Sequence, residues 1–190
     1  MMKKIIFTIS FAAISLLALQ SCEAQKVVVN RQVETQNDGS MLLGTQTIDQ
    51  FHKTPFSDWY TKEHDEYKID ETSVAELKKE KLNSYQIVTF LGTWCEDSHR
   101  EFPRLMKILE AVDYPDAKLT IIAVNRKKEA PNGEEGLYNI QKVPTIIVKK
   151  YGKEIGRIIE FPKTGFLERD LLEIIKKDNH GSVIGEIFKK

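Results

Sequence analysis

From residue 73 onward the apolar positions alternate between short runs and helical stripes. Ser73-Val74-Ala75-Glu76 has the spacing of a capping box and predicts a helix from Ser73 to about Lys81. Tyr85 to Leu91 is a short run rich in β-branched and aromatic residues, the signature of a buried strand. Gly92-Thr93-Trp94-Cys95 turns out of it. After Glu96, the residues Phe102, Leu105, Met106, Leu109 and Val112 recur at three- and four-residue spacings, one stripe of a helix that stops before Tyr114-Pro115. Leu119 to Val124 reads as a second buried strand. Asn132-Gly133 and Gly136 mark a loop, and Leu137 to Ile140 a short helix after it. Pro144 to Val148 and Glu154 to Glu160 flank Tyr151-Gly152-Lys153 as the arms of a hairpin. Thr164 is placed to cap a last helix whose Leu167, Leu171, Ile174 and Ile175 share one face.

The first 72 residues follow other rules. Lys3 and Lys4 precede an apolar stretch from Ile5 to Leu19, too short for the roughly 20 residues of a membrane-spanning helix. A basic start, a short apolar run and small residues at its end are the marks of a secretory signal. Residues 23–41 mix Gln, Asn and Glu around Val27-Val28-Val29 and are expected to form a tether. Residues 42–72 hold Phe51, Phe56, Trp59, Tyr60 and Tyr67, too many aromatics for a solvated linker, so they are expected to pack as an N-terminal extension on a main domain of residues 73–190.

Composition narrows the function classes. Of 190 residues 41% are hydrophobic and 29% charged, a globular balance rather than a disordered or many-span one. Twenty-eight basic residues against 28 acidic ones leave no global field to attract nucleic acid. The cysteines are Cys22 and Cys95 alone, which excludes a disulfide-stapled scaffold and a Cys-rich zinc site.

The apolar run closes on Leu19-Gln20-Ser21-Cys22, which resembles a bacterial lipoprotein lipobox, with Gln20 its loosest position. That resemblance implies a lipoprotein signal over residues 1–22, cut ahead of Cys22, which is lipidated and becomes the first residue of a chain anchored in the cell envelope, facing the periplasm or the surface. Strand, helix, strand, helix, hairpin, helix is the order of a thioredoxin-like domain, an α/β three-layer sandwich with a mixed central sheet. Within it, Trp94-Cys95-Glu96-Asp97-Ser98 resembles the thioredoxin Trp-Cys-x-x-Cys motif with Ser98 in place of the second Cys. Phe90 before the turn, Pro103 eight residues after Cys95, and Val143-Pro144-Thr145 resemble further positions of that family: the last is its cis-proline segment opposite the active site. Thr89 departs from it, standing where thioredoxins commonly hold a buried carboxylate.

The resemblance implies Cys95 as nucleophile, with Ser98 able to offer its hydroxyl to the sulfur, Trp94 as an apolar shield, and Val143 and Pro144 as the substrate-binding segment. A helix start favours a thiolate through its free N-H groups and dipole; Glu96 and Asp97 oppose that charge, and His99 and Arg100 offset them. With Cys22 lipidated, no internal disulfide forms, and monothiol exchange with exported protein disulfides remains, an outside thiol reductant releasing the product. The peroxiredoxin pattern fails at Val88 and Gly92, which stand where it needs Pro and Thr. Cys95 and His99, four residues apart, lack the further ligands of a metal set, and no cofactor is implied. The rival reading is a redox-inactive thioredoxin-like module that keeps the groove for binding or chaperoning.

Overall fold

Both faces of the sheet's centre are covered, so its central strands are nearly continuous apolar runs. The computed structural model describes residues 28–36 and 39–187. Its elements are β1 (Arg31–Thr35), β2 (Gly39–Gln46), α1 (Ser57–Glu66), α2 (Glu71–Lys79), β3 (Gln86–Leu91), α3 (Glu96–Ala111), β4 (Leu119–Ala123), α4 (Glu134–Leu137), β5 (Thr145–Lys150), β6 (Lys153–Ile159) and α5 (Leu167–Ile187). The strand order is β1-β2-β4-β3-β5-β6, with β3 and β4 parallel and every other pair antiparallel. This mixed sheet between two covering layers is the α/β sandwich that the pattern predicts.

Period-two geometry divides β3 between the layers. Ile87 and Leu91 join Phe102, Leu105, Ile108, Leu171 and Ile175 in the larger core beneath α1, α2, α3 and α5. Val88 and Phe90 join Ile122, Val124, Ile140, Val143 and Ile147 in a smaller cluster on the other face, under α4 and its flanking loops. Thr89 shares the larger face and is buried, with its hydroxyl unpartnered. The aromatics of residues 51–60 supply that face: the rings of Phe51 and Phe102 lie 4.5 Å apart, and Tyr60 is buried beside them.

Five expectations change. The segment taken as a tether, 23–41, contains β1, which pairs with β2 from Arg31 opposite Leu43 to Thr35 opposite Gly39. Its strand is nearly all polar, held by the backbone ladder and by Gln32 donating to Ser40 and Ser40 to Glu34, so hydrophobic patterning passes over it. Likewise β2, inside or next to the expected extension, is a strand of the sheet itself, paired with β4. The helix predicted from Ser73 begins at Glu71: Ser73 donates to Asp70 at 3.0 Å, while Glu76 turns outward to Lys79 and Lys176. Thr164 does not cap α5; the Asp170 carboxylate reaches back to the Lys163 and Thr164 N-H groups at 2.7 and 3.1 Å. The short helix after the Asn132-Gly133 turn lies over Glu134–Leu137, earlier than Leu137 to Ile140. Among the described residues no helix is long and apolar enough to cross a membrane; Ile5 to Leu19 and Cys22 lie outside them.

Candidate functional site

The turn between β3 and α3 is built by its own hydrogen bonds. The Cys95 N-H donates to the Gly92 carbonyl at 2.9 Å, and the first helical bond runs from the His99 N-H to the Cys95 carbonyl. Cys95 is thus the N-cap of α3, in extended conformation, with its side chain free of the helix N-H groups. The half-buried thiol instead donates to the Val143 carbonyl, 3.4 Å away. The peptide bond between Val143 and Pro144 is cis. Thiol and cis-proline segment therefore face each other, as the motif order predicts, in a cleft of about 340 Å³ lined by Trp94, Cys95, Asp97, Lys128, Val143 and Glu160.

Trp94 closes one side. Its indole N-H donates to the Val124 carbonyl at 2.9 Å, and its ring lies across Gly92 so closely that a Cβ there would sit 2.5 Å from it. Glycine at 92 is what lets the ring lie flat against the turn. Ser98 is fully buried, and its Oγ accepts the Gly92 N-H at 3.2 Å; it makes no hydrogen bond to Cys95. The residue at the second-cysteine position is bonded to the turn, not to the sulfur.

The acidic residues after Cys95 lie beside the basic ones expected to offset them, His99 Nδ1 3.9 Å from Glu96 and Arg100 against Asp97. Arg100 binds Asp97 at 2.8 Å and Glu101 at 2.7 Å, so it does offset Asp97. Burial pushes the Glu101 carboxyl up against the pull of Arg100. Glu96 projects into solvent. The His99 side chain is held by the turn and α1: its Nε2-H donates to the Thr93 carbonyl at 2.8 Å, which fixes that nitrogen as protonated, and its ring stacks on Trp59 at 4.4 Å. Meanwhile the Leu42 N-H donates to Thr93 Oγ1 at 3.2 Å. Both oxygens of Thr93 are thus held, one from β2 and one through a histidine braced by α1. Sequence reasoning missed this brace, because nothing in the spacing of Leu42, Trp59 and His99 announces that they meet. It also passed over Lys128 and Glu160, which line the cleft from distant loops.

Pro103 lies inside α3 and is buried, as the alignment of motifs requires. Its ring removes the N-H that would have bonded the His99 carbonyl. Parallel β3 and β4 joined through α3, an antiparallel β5-β6 hairpin, a Cys at the N-cap of α3 and a cis-proline opposite it complete the pattern. The fold is thioredoxin-like.

Comparison with solved structures agrees at the level of the fold. A protein of unknown function from Pseudomonas aeruginosa superposes with a TM-score of 0.50 at 13% identity, over 66% of this chain and 84% of that one. An HIV epitope scaffold gives 0.51 at 13% identity, over 68% and 88%. Mitochondrial thioredoxin 3 of Saccharomyces cerevisiae is 22% identical over 53% of this chain and 89% of its own, with a TM-score of 0.35, too loose for residue-by-residue comparison. No protein-family model matches the chain, and no curated protein matches it.

Proposed function

We propose that the chain performs monothiol thiol-disulfide exchange through Cys95, as an exported protein tethered to the cell envelope by a lipidated Cys22. The observation that carries this reading is the thiol at the N-cap of α3, in an open cleft, 3.4 Å from the carbonyl that precedes a cis-proline. In the reaction the Cys95 thiolate attacks one sulfur of a client disulfide. The Cys95-client S-S bond forms as the old S-S bond breaks, and the second client sulfur leaves with the electron pair and takes up a proton. A small or protein thiol from outside then attacks the mixed disulfide and returns Cys95 to the thiol. Trp94 supplies an apolar wall for the client, and the Val143 backbone is the edge along which an extended segment lies.

Ser98 cannot resolve the intermediate, since it carries no thiol and is engaged with Gly92. Mixed disulfides should therefore accumulate. Non-reducing electrophoresis of acid-quenched cells should reveal adducts in the wild type that vanish in Cys95→Ala. If the wild type shows none, and Cys95 in the folded protein resists alkylation, the groove binds without exchanging and the redox-inactive module is the correct reading. Incorporation of labelled fatty acid into the wild type and equally into Cys22→Ala would remove the lipid anchor from the proposal.

A further inference from the structure

A second cleft opens between the end of β2, the start of β4 and the later part of α3. It lies at the far end of the sheet from the thiol: Leu119 pairs with Ile87 near the start of β3, whereas Cys95 follows the end of that strand. Its volume is about 340 Å³, within the range of small-molecule sites. Ile48, Met106, Leu119 and Ile121 form apolar walls, and the exposed Asp49 and Asp116 complete the lining. Among the described residues neither carboxylate has an ion pair, and no Lys, Arg or His lines the cleft.

Gln46 supplies the feature that calls for a ligand. It is only 4% exposed, and it sits opposite Ile121 in the register of β2 and β4, so the two side chains share one face of the sheet and both line the cleft. Its Nε2 donates to the Leu43 and Gly44 carbonyls at 2.9 and 3.2 Å, which fixes the orientation of the amide. Its Oε1 is buried without a donor. An unpaired buried acceptor costs stability, and folded proteins pair nearly all of them. A metal ion fits the lining poorly: two carboxylates and one amide oxygen fall short of the roughly six to eight oxygens that calcium takes, and among the described residues no three His, Cys, Asp or Glu gather as a ligand set. Apolar walls suit an organic cation better.

We propose that this cleft binds a primary ammonium carried on a hydrocarbon stem. Gln46 Oε1 accepts one of its N-H groups, Asp49 and Asp116 balance its charge, and the apolar walls pack the stem. An ammonium has three donors and no acceptor, which matches an amide oxygen and two carboxylates, all of them acceptors. The site is separate from the exchange chemistry and stands or falls without it.

Titration of the full-length chain in neutral detergent, followed by NMR of isotope-labelled methionine methyl groups, tests it. Met106→Leu, a swap of similar volume, identifies the Met106 resonance. n-Butylammonium should shift that resonance saturably and leave Met41, which does not line the cleft, in place. n-Butanol, its neutral isostere, should bind about tenfold more weakly at low salt, butyrate should not compete, and the preference for the cation should shrink as ionic strength rises. Asp49→Asn/Asp116→Asn alters two exposed residues and should bring butylammonium down to the level of butanol. Gln46→Met keeps the length of the side chain, removes the acceptor and should weaken binding severalfold. Equal binding of butanol and butylammonium, undiminished binding in either variant, or no saturable shift of Met106 would overturn the proposal. Nα-acetyl-lysine amide carries the same butylammonium on a peptide backbone. Binding as tight as that of butylammonium assigns the cleft to a lysine of a polypeptide partner, and weaker binding assigns it to a free amine.

Discussion

The two faces of the central sheet are built for different ends. Beneath α1, α2, α3 and α5 lies a contiguous apolar core that takes in Phe51, Tyr60, Leu77, Phe102, Leu105 and Leu171. The other face has a smaller cluster roofed by the four-residue α4 and by loops, and at its margin stand Trp94 and Cys95. Fixed helices make the first face hard to rearrange. Loops make the second adaptable, and they bring backbone carbonyls, including that of Val143, within reach of the thiol. One sheet thus supports a rigid foundation and a thin reactive layer, and α3 connects them: its buried stripe belongs to the first and its N-cap to the second.

Paired truncations put this division to the sharpest test. Phe102 and Phe90 are both fully buried, one on each face. Phe102→Ala leaves a cavity walled by helices and should cost about 4 to 5 kcal/mol. Phe90→Ala opens beneath Tyr138 and loops that can settle into it, and should cost nearer 3 kcal/mol, since the penalty depends on how far the surroundings collapse. Urea unfolding measures both. The rate of Cys95 alkylation under native conditions should rank them in the opposite order, Phe90→Ala disturbing it more. Equal costs, or a larger effect of Phe102→Ala on the thiol, would mean that the two faces are not separable.

A smaller effect is expected at the junction. A Cβ on Gly92 would meet the Trp94 ring, so Gly92→Ala must push the indole aside and break its bond to the Val124 carbonyl. The cost should be about 1 to 3 kcal/mol. In a Trp94→Ala background the same glycine substitution should become nearly neutral. That non-additivity, read in a double-mutant cycle, assigns the cost to the ring; two additive losses would place it in the backbone of the turn.

How far the chain could be read from its residues follows the same division. The strands and helices of the foundation were legible because burial writes its period into sequence: Phe102, Leu105, Met106 and Leu109 outline α3, and Ile146 to Val148 outline β5. The facing of Cys95 and Val143 was legible only through the resemblance of two motifs 48 residues apart in sequence. What burial does not record was missed. Strand β1 has one apolar side chain, Val33, and is held by backbone and polar pairs. The brace on Thr93 joins Leu42, Trp59 and His99 by tertiary contact alone. The left-handed conformations of Lys128 and Glu160, both at the cleft, belong to residue types that give no warning of them. Ser98 was read as a partner for the sulfur, because a motif gives spacing but not the direction of a hydroxyl.

The smallest expected effect concerns charge on the foundation, where carboxylates of α2 are held by α5. The Arg169 hydrogen bond, aided by Ser73, holds the Asp70 carboxyl below the usual carboxylate range, and Lys176 does the same for Glu76, aided by Lys79. A carboxyl whose affinity for protons is lower in the folded chain than in the unfolded one adds stability while it is ionised in both states. That contribution is whole above the ordinary carboxylate range and is lost as pH falls through the depressed folded values, so it fades below roughly pH 4. Because these groups are screened by solvent, each should contribute little. Asp70→Asn should therefore leave stability at neutral pH only slightly reduced and make its decline below about pH 4 shallower, as followed by urea midpoints at each pH. Alkylation of Cys95 should not change in step, because the α2-α5 pairs lie among the helices of the other face. A parallel change at the thiol would show that the foundation and the reactive layer are electrostatically coupled through α3.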